Sequence, residues 1–166
     1  MPLIIDALRE GGRPIVSAIM GAGKSILIGE LCYIAYQRLR PDTRIVALWP
    51  RQALVQQLVE TFNYRMSASG VEQTVGSFWA QSKQVDRPII VATFASSLKL
   101  AERMEVEGLR CAMLVGDEVH GTESDVVKEA IERLSPACAI GFTATPFRSN
   151  EDERLTLWDR IAYSYS

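Results

Sequence analysis

The chain has 166 residues, of which 48% are hydrophobic and 23% are charged. This balance fits one soluble globular domain, residues 1–166, and excludes a disordered chain. A net charge of −2 argues against a small domain that grips nucleic acid by itself, because such domains are usually basic. Three cysteines without a CxxC pair and a single histidine argue against a zinc site.

Apolar runs rich in strand-forming residues alternate with amphipathic segments. Runs such as Ile89-Ile90-Val91-Ala92 are continuously apolar, which is typical of strands covered on both faces. Predicted helices alternate with predicted strands in the order helix Leu3–Glu10, strand Pro14–Ile19, helix Lys24–Leu39, strand Arg44–Trp49, helix Gln52–Arg65, strand Gln73–Phe78, strand Ile89–Ala92, helix Ser96–Glu107, strand Ala112–Gly116, helix Ser124–Leu134, strand Ala137–Phe142 and helix Asp152–Ile161. This order predicts an α/β domain, a mostly parallel central sheet with helices on both faces.

No apolar run is long enough to cross a bilayer, and the amino terminus lacks the basic start and long apolar stretch of a signal peptide. We therefore expect a cytoplasmic protein that does not act at a membrane.

A glycine-rich turn joins the first predicted strand to the helix that follows it. The stretch from Ala18 to Ser25 reads AIMGAGKS, which matches the phosphate-loop pattern GxxxxGK[ST] except at its first position. Glycines let successive backbone N–H groups face one anion, and the helix amino terminus adds partial positive charge. The alternative is an ordinary glycine-rich turn with a chance lysine, and the strand–loop–helix context favours phosphate binding over it. The predicted phosphate ligands are Met20, Gly21, Ala22, Gly23, Lys24 and Ser25.

Two adjacent carboxylates end another apolar strand. Asp117-Glu118-Val119-His120 follows Ala112–Gly116 directly. Phosphoryl transfer needs one group that holds a metal ion and another that orients and deprotonates water. The pattern predicts that Asp117 holds Mg²⁺ together with Ser25, and that Glu118 activates the water. A solvent-facing acidic turn is the alternative, and the strand end makes it the weaker reading.

These motifs together resemble the amino-terminal RecA-like motor domain of superfamily 2 helicases and translocases, of the DEAD/DEAH type that includes restriction-enzyme motor subunits. Asp117–His120 resembles the DExH box, and 141–148 resembles motif III in its TATP form. Residues 50–57 are similar to motif Ia, and 92–98 are similar to motif Ib. The resemblance implies a P-loop ATPase that uses ATP and Mg²⁺.

The resemblance also implies roles for individual residues. Lys24, Asp117 and Glu118 would be catalytic, and His120 would sense or relay at the γ-phosphate. Motif III would couple hydrolysis to movement through Thr143, Ala144 and Thr145. The family's motifs Ia and Ib contact the phosphates of one nucleic-acid strand, so the candidates for this contact are Arg51, Gln52, Thr93 and Ser97. For each of these four, an exposed helix start or a helix-terminal hydroxyl is a nearly equal alternative.

The TATP and DExH forms favour DNA over RNA as the track. The family's motifs IV to VI, including an arginine finger, do not occur in this sequence. We therefore expect a second RecA-like domain to act in cis or in trans, and the chain alone to turn ATP over slowly. The alternatives are a P-loop kinase or other small-substrate NTPase, and a nucleotide-binding regulatory module without turnover.

Overall fold

The computed structural model describes residues 12–18, 23–70, 74–144, 158 and 160–165. The strands are β1 Pro14–Ala18, β2 Thr43–Trp49, β3 Val75–Trp79, β4 Ser82–Lys83, β5 Ile89–Thr93, β6 Arg110–Asp117, β7 Cys138–Thr143 and β8 Arg160–Tyr165. The α-helices are α1 Lys24–Tyr36, α2 Gln52–Ser67, α3 Ser97–Val106 and α4 Asp125–Leu134. Two short 3₁₀ helices cover Phe94–Ser96 and Val119–Glu123.

The described strands form one sheet in the order β4-β3-β5-β2-β6-β7-β1-β8. Every pair is parallel except β3 with β4. The predicted α/β fold with a mostly parallel sheet is therefore confirmed. Helices α1 and α2 pack on one face of the sheet, and α3 and α4 pack on the other.

Strand β2 shows why its apolar run is continuous. Ile45, Ala47 and Trp49 belong to the core beneath α1 and α2, whereas Val46 and Leu48 belong to the core beneath α3 and α4. All five are buried. Because alternate side chains of a strand point to opposite faces, a strand covered on both sides has no polar position in its centre.

The prediction of a helix at Asp152–Ile161 is wrong at its end. Arg160 and Ile161 begin β8, which pairs in parallel with β1. The period-two pattern Ile161-x-Tyr163-x-Tyr165 was the available strand signal. The short hairpin strand β4 was also missed, because two residues carry no periodicity. The predicted helix Leu3–Glu10 lies outside the described residues.

Within the described part of the chain, no helix combines the length and apolarity that a membrane span requires.

Candidate functional site

Four neighbouring strands of the sheet bring the sequence motifs to one edge. Parallel pairing sets Trp49 beside Thr93, Leu48 beside Gly116, and Asp117 beside Phe142. Strand β1 lies beyond β7, and the chain continues from β1 towards α1. The carboxyl ends of parallel strands therefore meet here, which is where open α/β sheets bind their ligands.

Lys24, the first residue of α1, contacts both carboxylates of the acidic pair. Its Nζ donates a hydrogen bond of 2.7 Å to Oε1 of Glu118. The same Nζ lies 3.2 Å from Oδ1 of Asp117. All three side chains are largely buried, with exposed fractions of 10% for Lys24, 12% for Asp117 and 21% for Glu118. Groups that are 94 positions apart in sequence thus form one charged cluster.

The charges of this cluster act on one another. Burial by itself lowers the pKa of Lys24, but the hydrogen bond to Glu118 and the charges of Asp117 and Glu118 outweigh it and raise that pKa. Lys24 is therefore a permanent cation at neutral pH. Burial raises the pKa of Asp117, and the ammonium of Lys24 offsets only part of this effect. One ammonium facing two carboxylates leaves the cluster with a net negative charge, which suits an additional cation.

Two buried polar atoms of the site, one on Asp117 and one on His120, make no hydrogen bond to any described residue. Among the described residues, neither Oδ1 of Asp117 nor Nδ1 of His120 has a hydrogen-bond partner, although both atoms are buried. Nδ1 of His120 lies 3.5 Å from Oε2 of Glu118. Buried polar atoms normally have partners, and exceptions concentrate where a ligand, ion or water binds.

Glu118 occupies a strained turn at the end of β6. Its backbone is left-handed, with φ 50° and ψ 52°. This conformation costs a residue other than glycine of order 1–3 kcal/mol and persists only where its surroundings enforce it. Val119 follows and is fully buried against the backbone of Gly116 and Gly141. A Cβ atom built at either glycine would lie 2.9 Å from Cγ1 of Val119, so the close approach requires glycine.

An open cleft of about 850 Å³ lies beside the cluster. The described part of its lining is formed by Gly23, Lys24, Ser25, Pro50, Arg51, Leu54, Asp117, Glu118, His120 and Ala144. Gly23 precedes α1 with φ 74°, a left-handed conformation that favours glycine. Pro50 and Leu54 were not predicted as site residues, and their only sequence signal was membership of the segment 50–57 that resembles motif Ia.

The four candidate contacts to nucleic acid lie in different environments. Arg51 and Gln52 are exposed at the start of α2, and Arg51 lines the cleft. Thr93 is buried at the end of β5. Ser97 is fully buried, and its hydroxyl donates a 2.7 Å hydrogen bond to the carbonyl of Phe94. This geometry favours the alternative for Ser97, a hydroxyl that stabilises the start of α3.

The remaining candidates are described only in part. Thr143 is buried at the end of β7, and Ala144 borders the cleft. Met20, Gly21, Ala22 and Thr145 lie outside the described residues. Across the residues that the structure describes, no group of three or more His, Cys, Asp or Glu side chains could hold a metal ion by itself. A cation here would need ligands beyond carboxylates, which is usual for Mg²⁺ at phosphate sites.

Solved structures with the same fold include two helicases and a restriction-modification enzyme. The UvsW helicase of bacteriophage T4 matches with a TM-score of 0.72 and 18% identity over 97% of this chain and 58% of that chain. A nuclease-deletion mutant of the type ISP restriction-modification enzyme LlaGI, solved with a DNA substrate mimic, matches with a TM-score of 0.71 and 14% identity. The match covers 99% of this chain and 19% of that chain. The Hef helicase domain of Pyrococcus furiosus matches with a TM-score of 0.67 and 17% identity. The match covers 96% of this chain and 36% of that chain. This chain thus spans less than two thirds of each.

Sequence comparison identifies the family. No curated protein matches the sequence significantly. The family model described as "Type III restriction enzyme, res subunit" matches residues 4–148, which is most of the chain. The chain therefore belongs to this family, and its fold is that of the helicase structures it matches.

Proposed function

We propose that this domain binds and hydrolyses MgATP and, together with a second RecA-like domain, couples hydrolysis to movement on DNA. The observation that carries the proposal is the cluster in which Lys24 lies against both Asp117 and Glu118 at the edge of the cleft. A cation, a metal-binding carboxylate and a candidate base in one place are the parts that phosphoryl transfer requires.

The phosphates of ATP would bind along the start of α1. Gly23 and Ser25 border the cleft beside Lys24, and Met20, Gly21 and Ala22 would complete the loop. A phosphate that enters the cleft competes with Glu118 and Asp117 for the ammonium of Lys24. Because the carboxylates already hold this side chain over the cleft, the exchange needs a small movement of its flexible end rather than refolding.

Ser25 and Asp117 fit a magnesium ion. Oδ1 of Asp117 makes no hydrogen bond to the described residues and lies 3.2 Å from Nζ of Lys24, so it would be an available oxygen ligand once Lys24 moves to a phosphate, and the cluster's net negative charge attracts a cation. When bound, Mg²⁺ neutralises charge that develops on the phosphate oxygens. Its remaining ligands would be phosphate oxygens and water, since Mg²⁺ usually takes only one or two protein carboxylates.

Glu118 is the proposed general base. Its carboxylate lies beside the cleft, close enough to Lys24 and His120 to be oriented by both. In this role it accepts a proton from the attacking water, while His120 contacts the γ-phosphate or its products. Thr143, Ala144 and Thr145 would transmit the change at the phosphate to the DNA-binding side.

DNA is the proposed track. LlaGI, which shares this fold, was solved with a DNA substrate mimic. In the present chain Arg51 and Gln52 are the best candidates for phosphate contact, because both are exposed. Thr93 and Ser97 would contact phosphates through their backbone groups, because their side chains are buried. With a net charge of −2, the domain should bind DNA weakly and lose affinity as salt is added.

Steady-state ATPase assays test this proposal. The chain alone should show marginal turnover that DNA barely stimulates, because the transition state lacks an arginine from a second domain. Adding a cognate second RecA-like domain should produce turnover that DNA stimulates more strongly than RNA. The proposal fails if nucleic acid never stimulates turnover while a small acceptor becomes phosphorylated, since that result identifies a kinase.

A further inference from the structure

Trp158 packs against the turn that follows β6, residues 117–123, which is called the acidic turn below. Its side chain is buried, with 6% of the residue exposed. A Cβ atom built at Gly141 would lie 3.1 Å from Cε3 of Trp158, and one built at Gly116 would lie 3.6 Å from Cζ2. These two glycines are paired across β6 and β7. The indole therefore lies over the backbone of the two strands that carry Asp117 and motif III.

A chain of two hydrogen bonds links Trp158 to the residue that follows Glu118. The indole Nε1 donates to Oγ1 of Thr122 at 3.1 Å. The hydroxyl of Thr122 in turn donates to the carbonyl of Val119 at 2.5 Å. Thr122 and Val119 are both fully buried, so water does not replace either bond. The hydroxyl acts once as acceptor and once as donor, and only a Ser or Thr at this position does both.

The carbonyl at the end of this chain belongs to the peptide that joins Val119 to His120. Fixing that peptide restrains Val119 and His120 directly, and through Val119 it restrains the strained backbone of Glu118, one residue earlier. We propose that Trp158 is a positioning residue, which acts through Thr122 to hold the carboxylate of Glu118 in its working orientation. The inference rests on the proposed role of Glu118 as the base.

Packing alone would not require this arrangement. A phenylalanine would fill much of the same space over Gly116 and Gly141 but would leave Thr122 without its donor. Trp158 also comes from the stretch between β7 and β8, downstream of Thr143–Thr145 in sequence. The hydrogen-bond chain thus connects the segment that follows motif III with the acidic turn.

Four variants of the full chain test the proposal. Trp158→Phe keeps a ring and removes the N–H donor, and Thr122→Val keeps the shape and removes the hydroxyl. Thr122→Ser keeps the hydroxyl and serves as the conservative rescue. Trp79→Phe is the matched control, because Trp79 is a buried tryptophan on β3, remote from the acidic turn in the sheet order. Each folded variant is compared in single-turnover ATP hydrolysis with a cognate second RecA-like domain present and protein in excess. MgADP affinity and amide hydrogen exchange over residues 116–123 are measured on the chain alone.

Trp158→Phe and Thr122→Val should each slow hydrolysis about tenfold, and the double variant should be no slower than Thr122→Val, because both act through one chain. Their affinity for MgADP should change less than twofold, while amide exchange over 116–123 accelerates. Thr122→Ser and Trp79→Phe should behave like the parent. Hydrolysis within twofold of the parent in both altered variants, unchanged exchange, or failure of Thr122→Ser to rescue would overturn the proposal.

A separate result identifies failure of the proposed function. If the parent, with a cognate second RecA-like domain present, hydrolyses ATP no faster than Glu118→Gln under the same conditions, Glu118 is not the base. The exchange measurement then decides by itself whether Trp158 and Thr122 hold the turn, and unchanged exchange overturns that part as well.

Discussion

Nζ of Lys24 lies 2.7 Å from Oε1 of Glu118, although one residue begins α1 and the other follows β6. This contact joins the phosphate loop to the acidic pair across strands β1, β7 and β6. A phosphate bound to Lys24 would therefore lie next to the proposed base, and nucleotide binding and hydrolysis can be separated by changing one partner at a time.

Glu118→Gln should separate the two steps. The amide keeps the size of the side chain and can still accept from Lys24, but it cannot take a proton from water. With a second RecA-like domain present, we expect MgATP affinity within about threefold of the parent and hydrolysis at least about 100-fold slower, a typical loss for a general base. Glu60→Gln, an exposed change on α2, is the control. Hydrolysis at the parental rate in Glu118→Gln would remove Glu118 from the mechanism.

Gly116→Ala should destabilise the domain through one contact. The new methyl would lie 2.9 Å from Cγ1 of Val119, and such overpacking typically lowers the free energy of unfolding by about 1–3 kcal/mol. Val119→Ala removes the opposing methyl group, so the double variant should be less destabilised than the sum of the single variants. Urea unfolding of all four proteins measures this coupling. Strict additivity would show that the close approach of Val119 does not make Gly116 necessary.

Glu105→Gln should reduce the sensitivity of the fold to acid. Glu105 on α3 receives two hydrogen bonds from Arg133 on α4, at 3.0 and 2.7 Å, and this pairing lowers the pKa of Glu105. A carboxyl group whose pKa is lower in the folded state than in the unfolded state stabilises the fold at pH values above its unfolded-state pKa. This contribution is lost as the pH falls through the folded-state pKa. The variant should therefore be slightly less stable at pH 7 and equal to the parent at strongly acidic pH.

The control for this prediction is Glu132→Gln, an exposed change on α4. Thermal unfolding from pH 7 down to the acid limit compares the three proteins. A stability difference between Glu105→Gln and the parent that stays constant over the whole range would contradict the assignment to this ion pair.

Arg51→Ala should weaken DNA binding without a preference for sequence. Losing one phosphate contact should lower affinity and reduce the slope of log K against log salt by about 1. Arg38→Ala, an exposed change after α1, is the matched control. Ser97→Ala should leave the salt slope unchanged, because the hydroxyl is buried and bound to Phe94. Equal slopes for Arg51→Ala and Arg38→Ala would remove Arg51 from the interface.

The layered fold was predictable because its signals are local and strong. Continuous apolar runs mark β2 and β5 as strands buried on both faces, and the motifs mark where several strands end. Strand β8 was not predictable in the same way, because its pairing with β1 joins residues 146 positions apart, Pro14 with Arg160. Long-range pairing leaves only a short period-two pattern in the sequence, and here a helical pattern was assigned over its start.

The site was predictable as a set of residues but not as a geometry. Motif order indicates that Lys24, Asp117 and Glu118 share a cleft. No local pattern shows that Glu118 adopts a left-handed backbone or that Oδ1 of Asp117 lies 3.2 Å from Nζ of Lys24. The role of Thr122 likewise depends on Trp158, 36 positions away, and a hydroxyl in a polar turn looks ordinary in the sequence. Nor does the sequence show that the hydroxyl of Ser97, a motif residue, is buried and bonded to the carbonyl of Phe94.

Calorimetric titration of MgADP into the chain and into Lys24→Ala tests the central claim most directly. The claim is that this cleft binds the phosphates of a nucleotide through Lys24. The parent should bind MgADP, and Lys24→Ala should show no measurable binding although it still unfolds cooperatively. The control Lys99→Ala, an exposed change, should unfold cooperatively and bind MgADP with the affinity of the parent. Equal affinity of Lys24→Ala and the parent for MgADP would contradict the account.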